Sequence, residues 1–382
     1  MHKCKLSDCV KEINNRTTEN NQYEVLTSSK NGIFSQEEYF DKQVASKDNT
    51  GYKIIEKGQF TYRSMSDSGT FTINRLEDKD IGIVSPAYPV FEATNIDAEF
   101  LKYYFKSELF NKAIINLSQG STRTALKFKD LIDIEIFLPE IEEQKKIVKI
   151  LKNNDQIIEK YDKLIKEKEQ FIKSQFVEMF GGIGHYEKIG DICSIKARIG
   201  WQGLTKKEYL ESGDYYLVTG TDFNGNTIDF NNCSFVTQER YNQDENIQLK
   251  EKDVLVTKDG TIGKVAFIDK LPKPATLNSG VFVVRDKLNI LNPIYLEYAL
   301  LSNDFSRFIR KIKTGSTIAH LNQEVFLKFR IPIPEKKLQD KFEPIVQLID
   351  KQKFELEKQK QNYIHLKKGL MQQLLTGKLK VS

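Results

Sequence analysis

Between residues 140 and 180, apolar side chains return at steps of four and three, through Ile147, Leu151, Asn154, Ile158, Tyr161, Ile165, Lys168 and Ile172. That stepping is the seam of a coiled coil. The stretch contains neither Pro nor Gly, opens after Pro139 with Glu140, Glu142 and Glu143, and runs into Gly181-Gly182. Acidic groups suit the positive end of a helix dipole, and glycine suits a left-handed cap at the other end. The spacing therefore predicts a single helix of about forty residues, a rod on the order of 60 Å long. The same phase returns between 335 and 375 through Val346, Ile349, Leu356, Tyr363, Leu370 and Leu374, ahead of Gly377. Asn154 and Lys168 interrupt the first stripe, and Lys353, Lys360 and Lys367 the second. Such breaks are expected to specify register and antiparallel pairing at a cost in stability.

Ahead of each rod the pattern shortens to strand-like runs. They fall at 23–27, 59–62 and 71–73 in the first part and at 215–219, 253–257, 264–268 and 281–284 in the second. A helix follows in each part, predicted over 98–117 and 293–312. The two halves are copies. An offset of 195 residues carries Gly120-Ser121-Thr122 onto Gly315-Ser316-Thr317 and holds without insertion from Asp97/Asn292 to Gly182/Gly377. Upstream, Lys5-Leu6-Ser7-Asp8 echoes Lys188-Ile189-Gly190-Asp191 at an offset of 183, so the second globular part carries 12 more residues. The fold class expected is α+β, with two mixed α/β globular domains on two long antiparallel coiled-coil helices and a pseudo-two-fold repeat. The segments are 1–139, 140–182, 183–334 and 335–382.

A chain of 382 residues suits two cores. The net charge of +5 is compatible with nucleic acid without requiring it. Cys4, Cys9, Cys193 and Cys233 form no CxxC and have no paired histidines, as expected of reduced thiols with no metal site. With no signal peptide and no apolar run near the ~18 residues of a membrane span, a soluble cytoplasmic protein is expected.

No catalytic constellation is legible. Phe180-Gly181-Gly182-Ile183-Gly184 has the form of a cofactor glycine loop, yet it closes a helix instead of following a strand. Asn292-Pro293-Ile294-Tyr295 resembles an adenine methyltransferase string, but it lacks the second proline and aligns with Asp97-Ala98-Glu99-Phe100. Lys258-Asp259-Gly260-Thr261-Ile262-Gly263-Lys264 misses phosphate-loop spacing and reads as a tight turn between strands.

The duplicated strings at 120–148 and 315–339, the closing stretch 367–381, and the strings at 199–209 and 216–223 together resemble the specificity subunit of type I restriction–modification systems over essentially the whole chain. The resemblance implies two target-recognition domains, each reading half of a bipartite double-stranded DNA site. It also implies antiparallel helices that dock methyltransferase subunits, two of them by the pseudo-two-fold, and restriction subunits as further partners. A spacer of ~60 Å would place the readers one to two duplex turns apart. No cofactor is expected in this chain; S-adenosylmethionine, ATP and Mg belong on the partners. The expected DNA-contacting residues are Arg63 and Ser64, with Lys258 the rough counterpart of Arg63, and also Ser121, Thr122, Arg123, Trp201, Gln202, Thr221, Ser316 and Thr317. For Arg63 and Lys258 an ordinary solvated charge is the other reading, for the Gly-Ser-Thr strings a structural turn, and for Trp201 a core position. A recognition subunit of a type II-like system shares this architecture. A coiled-coil scaffold with two protein-binding heads would share it without binding DNA.

Overall fold

A computed structural model describes residues 2–39, 47–66, 69–117, 124–314 and 320–381. The predicted rods are helices of 40 residues each, Ile141–Phe180 and Lys336–Leu375. The chain divides into two compact units, and both rods take part in both. Residues 1–162 with 357–382 form one unit, and residues 163–356 form the other.

In the first unit a four-stranded antiparallel sheet has the order Val10–Ile13, Val90–Ala93, Phe60–Thr61, Asn74–Arg75. The second unit repeats that order with Cys193–Lys196, Val281–Asp286, Val254–Thr257, Val265–Phe267. The strand before each sheet pairs with the one leading into a rod, His2–Lys5 with Glu135–Leu138 and Tyr186–Lys188 with Arg330–Pro332. Even single hydrogen bonds correspond: Leu6 N donates to Ile134 O at 2.9 Å, and Ile189 N to Phe329 O at 2.7 Å. The upstream parts thus share a framework that their sequences do not display. The stretch 71–73, expected as a strand, is irregular; the short strand begins at Asn74 because that is where the backbone meets Phe60–Thr61.

Each single helix predicted over 98–117 and 293–312 is a pair with an elbow. The pairs are Ala98–Phe105 with Glu108–Leu117, and Pro293–Leu300 with Asn303–Thr314. The break falls at Ser107 and Ser302, one residue type at one register position. The Ser107 hydroxyl donates to Tyr104 O at 2.6 Å and accepts from Phe110 N, and Ser302 does the same with Ala299 O and Phe305 N. A serine offering the backbone its own hydrogen bonds caps a new helix more readily than it continues an old one. Gln144 and Gln339, both fully buried, latch the elbows to the rods. Gln144 accepts from Asp97 N and donates to Pro139 O; Gln339 accepts from Asn292 N and donates to Pro334 O. Asn292 is a helix N-cap, its side-chain oxygen accepting from Ile294 N at 2.9 Å, with Pro293 in the first turn.

The core of the first unit gathers Phe60, Phe91, Phe100 and Phe110 with Ile147 and Leu151 from one rod and Leu374 and Leu375 from the other. The core of the second unit joins Phe282, Tyr295 and Phe305 to Phe176 and Phe180 from the first rod and Phe342 and Val346 from the second. Rod residues Lys360 and Lys367 reach Asp162 (2.6 Å) and Asp155 in the first unit, and Lys353 reaches Glu169 at 3.3 Å in the second. Seven residues down one helix match seven up the other, so the lysines that break the stripe set an antiparallel register. Asn154 is 4% exposed and its side-chain oxygen has no partner among the described residues. The expected left-handed cap is present at Gly377 (φ +69°) but absent at Gly181 and Gly182. Glycine is needed at 181 for another reason: an added Cβ would lie 2.5 Å from Val177 O.

Candidate nucleic-acid interface

In the second unit three strands deliver their ends to one place. Tyr215–Val218 and Ala275–Leu277 are parallel neighbours, so the loops that follow them, Thr219-Gly220-Thr221 and Asn278-Ser279-Gly280, emerge side by side. Val254–Thr257 ends opposite Val281, and Lys258 N donates to Gly280 O at 2.9 Å. Gly220 lies against Thr257, where a Cβ would come within 3.2 Å of Cγ2. Leu321 N donates to Lys258 O, which brings His320 beside Asp259, with His320 Nδ1 in contact with Asp259 Oδ1.

The cluster presents hydroxyls and an ammonium at the strand ends. The Thr219 and Thr221 hydroxyls are 2.7 Å apart in an exposed turn. Buried Asp222 holds the turn by accepting from Thr219 N and Thr219 Oγ1, and burial pushes its carboxyl above the usual range. Lys258 is half-buried with Nζ 5.3 Å from the centre of the Phe282 ring, a cation–π contact that fixes the ammonium's direction. Gly260 and Gly263, at φ +67° and +80°, complete the turn between strands that the spacing predicted.

The segment with Trp201 and Gln202 is clamped onto the same strand ends. Arg198, 1% exposed, donates to Leu277 O, Thr276 Oγ1 and Gln243 Oε1. At the far end Asn278 Nδ2 donates to Tyr209 OH at 2.6 Å, and Glu208 pairs with Arg240. Backbone hydrogen bonds from Thr205 and the Arg240 guanidinium together hold the Glu208 carboxyl down at about 2. Gln202 is 5% exposed and its Oε1 has no partner among the described residues. Trp201 starts no strand or long helix; it sits in the one-turn helix Gly200–Gln202.

The first unit offers a cleft of about 770 Å³ instead. Ser28, Ser29, Lys30, Arg63, Thr70 and Thr72 line it, a set of hydroxyls with two cations. Arg63 is exposed and follows Phe60–Thr61. Next to it Ser64 O accepts from Leu126 N at 3.0 Å, as Lys258 O accepts from Leu321 N. Ser64 is therefore the structural partner of Lys258, and Arg63 that of Thr257. Met65–Ser66 pairs antiparallel with Thr124–Ala125. Ser121, Thr122, Arg123, Ser316 and Thr317 lie outside the described residues. The structure thus brings Thr221 and Lys258 together and sets Arg63 beside Ser64. It adds Lys30, Thr72, Tyr209, Asn278, Ser279 and His320, which no periodicity marks. The string that closes on Tyr209 and the adjacency of Asn278-Ser279 to a strand run are the signals that could have pointed to some of them.

Among the described residues no group of three or more His, Cys, Asp or Glu side chains could hold a metal, and no helix is long and apolar enough to cross a membrane. The profile of the type I restriction modification DNA specificity domain matches twice, at residues 4–169 and 185–366. The chain belongs to this family. It is a type I specificity subunit, the DNA target-recognition component and a non-catalytic one, in line with its relatives' names. The type I restriction enzyme MjaVIII specificity subunit of Methanocaldococcus jannaschii is 25% identical over 327 residues, 78% of this chain and 75% of that one. A crystal structure of the type I restriction–modification S subunit from M. genitalium shares the fold at TM-score 0.50 and 17% identity, covering 98% of this chain and 96% of that one. A chain from a study of complex assembly and conformational transition of the type I system aligns at TM-score 0.61 and 15% identity, covering 99% and 98%. The specificity fold explains why the chain keeps register on its rods and elbows while its strand-end loops diverge.

Proposed function

We propose that each globular part of this specificity subunit reads one half of a bipartite DNA target, the first through the Arg63 cleft and the second through the loops around Lys258. The observation that carries the reading is the pairing of a repeated four-stranded framework with unlike chemistry at equivalent strand ends, Arg63-Ser64 in one copy and Thr257-Lys258 in the other. A common scaffold with different reading groups is what two different half-sites require. Hydroxyls and lysines suit phosphates, and the forked Arg63 guanidinium suits a guanine edge. In this reading S-adenosylmethionine sits on two modification subunits, and ATP with Mg on restriction subunits. Replacing residues 1–139 by those of another specificity subunit, then sequencing the methylome of cells carrying the assembled system, tests it. One half of the methylated motif should change while the other half is kept. An unchanged motif, or one changed in both halves, would overturn the assignment.

A further inference from the structure

The shared framework carries unlike side chains at one exposed position. Leu126 N donates to Ser64 O in the first unit, and Leu321 N to Lys258 O in the second. The neighbours of these residues therefore correspond, Met65 with Asp259 and Ala125 with His320. Met65 and Ala125 face each other across the strand pair. In the second unit Asp259 Oδ1 instead meets His320 Nδ1. An apolar pair in one copy is a carboxylate–imidazole pair in the other.

The fold does not account for the difference. The Asp259 side chain is 47% exposed and Met65 is 45% exposed. A carboxylate–imidazole contact so open to solvent adds little stability. The first copy makes the same backbone bond without it. Met65 lines the cleft of Arg63, and Asp259 follows Lys258 at the converging strand ends. A surface that meets phosphates repels a carboxylate, so Asp259 is costly there unless it accepts a hydrogen bond from a base. His320 engages Oδ1, and Oδ2 stands 3.6 Å from where a Cβ on Gly280 would lie, against the loop Asn278-Ser279-Gly280. In the major groove the amino donors are those of cytosine and adenine, and the apolar group is the thymine methyl. On the reading that each globular part takes one half-site, we propose that this shared position selects a base in both. Asp259, oriented by His320, accepts from an exocyclic amino group, and Met65 packs on a thymine methyl.

Two exchanges in the full-length chain, assembled with the modification subunits of the same system, test the position. One carries Asp259→Met with His320→Ala, the other Met65→Asp with Ala125→His. Methylome sequencing should show the first exchange altering the preference at one base pair of one half-site, and the second at one base pair of the other. Every base pair carries an amino group, so synthetic duplexes identify the group that is read. A base lacking only that group, purine for adenine or a pyrimidinone for cytosine, should weaken gel-shift binding of the unaltered complex about tenfold. The Asp259→Ala complex should be far less sensitive, and the analogue that acts tells adenine from cytosine. Uracil for thymine in the first half-site should weaken the unaltered complex about threefold and leave Met65→Ala unaffected. The duplex measurements use these single truncations, so they decide the matter even where an exchange lowers melting. Exchanges that melt like the parent and leave the motif unchanged would overturn the position as a base selector. So would parent and truncation responding alike to every analogue. Both exchanges altering the same half-site would instead overturn the reading of one half-site per globular part.

Discussion

Glu297 is buried to 2% exposure in the second unit, where Asn226 Nδ2 donates to its Oε1 at 2.7 Å. Burial raises its carboxyl to about 8, Asp350 adds to the rise, and Asn226 and Lys353 work against it. The folded state thus holds a proton that the unfolded chain releases near 4.5. Its contribution is complete below about pH 4.5 and is lost as pH climbs toward 8. Glu297→Gln, which keeps the acceptor, should melt like the parent at pH 5. At pH 9 it should be more stable, by on the order of a few kcal/mol; equal melting at pH 9 would refute the buried proton. On the reading face two side chains should behave differently. Arg63→Ala should cost about 1–3 kcal/mol on cognate DNA and relax one base position, with non-specific binding nearly unchanged. Lys258→Ala should weaken all sequences alike and reduce the salt slope by about 1. Gel shifts of the assembled complex over a salt series separate these outcomes.

Among the helices, the serine elbows and the lysine ladder carry different weights. Ser107→Ala and Ser302→Ala remove a capping acceptor from a helix end and should each cost about 0.5–2 kcal/mol by thermal denaturation. The rod lysines are partly exposed and paired across the seam, so Lys360→Ala should cost no more than about 1 kcal/mol. Leu374→Ala, in the core of the first unit, should cost about 2–5 kcal/mol. Exchanging the charges of Asp162 and Lys360 should restore what either single reversal loses. If the exchange restores nothing, the pair does not set the register.

Because the second rod ends in the core of the first unit, the molecule's last residues support its first domain. Met371, Leu374 and Leu375 pack with Phe100, Phe110 and Ile147. Deleting residues 357–382 should therefore strip amide-exchange protection from Ala98–Phe105 and Glu108–Leu117 while residues 163–356 stay protected. Protection lost evenly along the chain would contradict the division into these units.

The periodicity of apolar residues and the 195-residue register were enough to determine the rods and the repeat, while the specificity family was legible as a resemblance carried by the duplicated strings and those at 199–209 and 216–223. Rods and repeat are written in local spacing, and a helix needs only its own neighbours to show its period. Ser107 and Ser302 were visible as a register pair, but a serine within an amphipathic run does not announce a break until its hydroxyl has a carbonyl to bond. The shared four-stranded framework and the convergence of Thr221, Lys258 and Asn278 needed the tertiary structure. Strand pairing is non-local, and residues that meet at adjoining strand ends are separated by tens of positions whose sequences have diverged. For the same reason the counterpart of Lys258 is Ser64 and not Arg63: one backbone hydrogen bond, from Leu126 or Leu321, decides the alignment where side-chain similarity cannot.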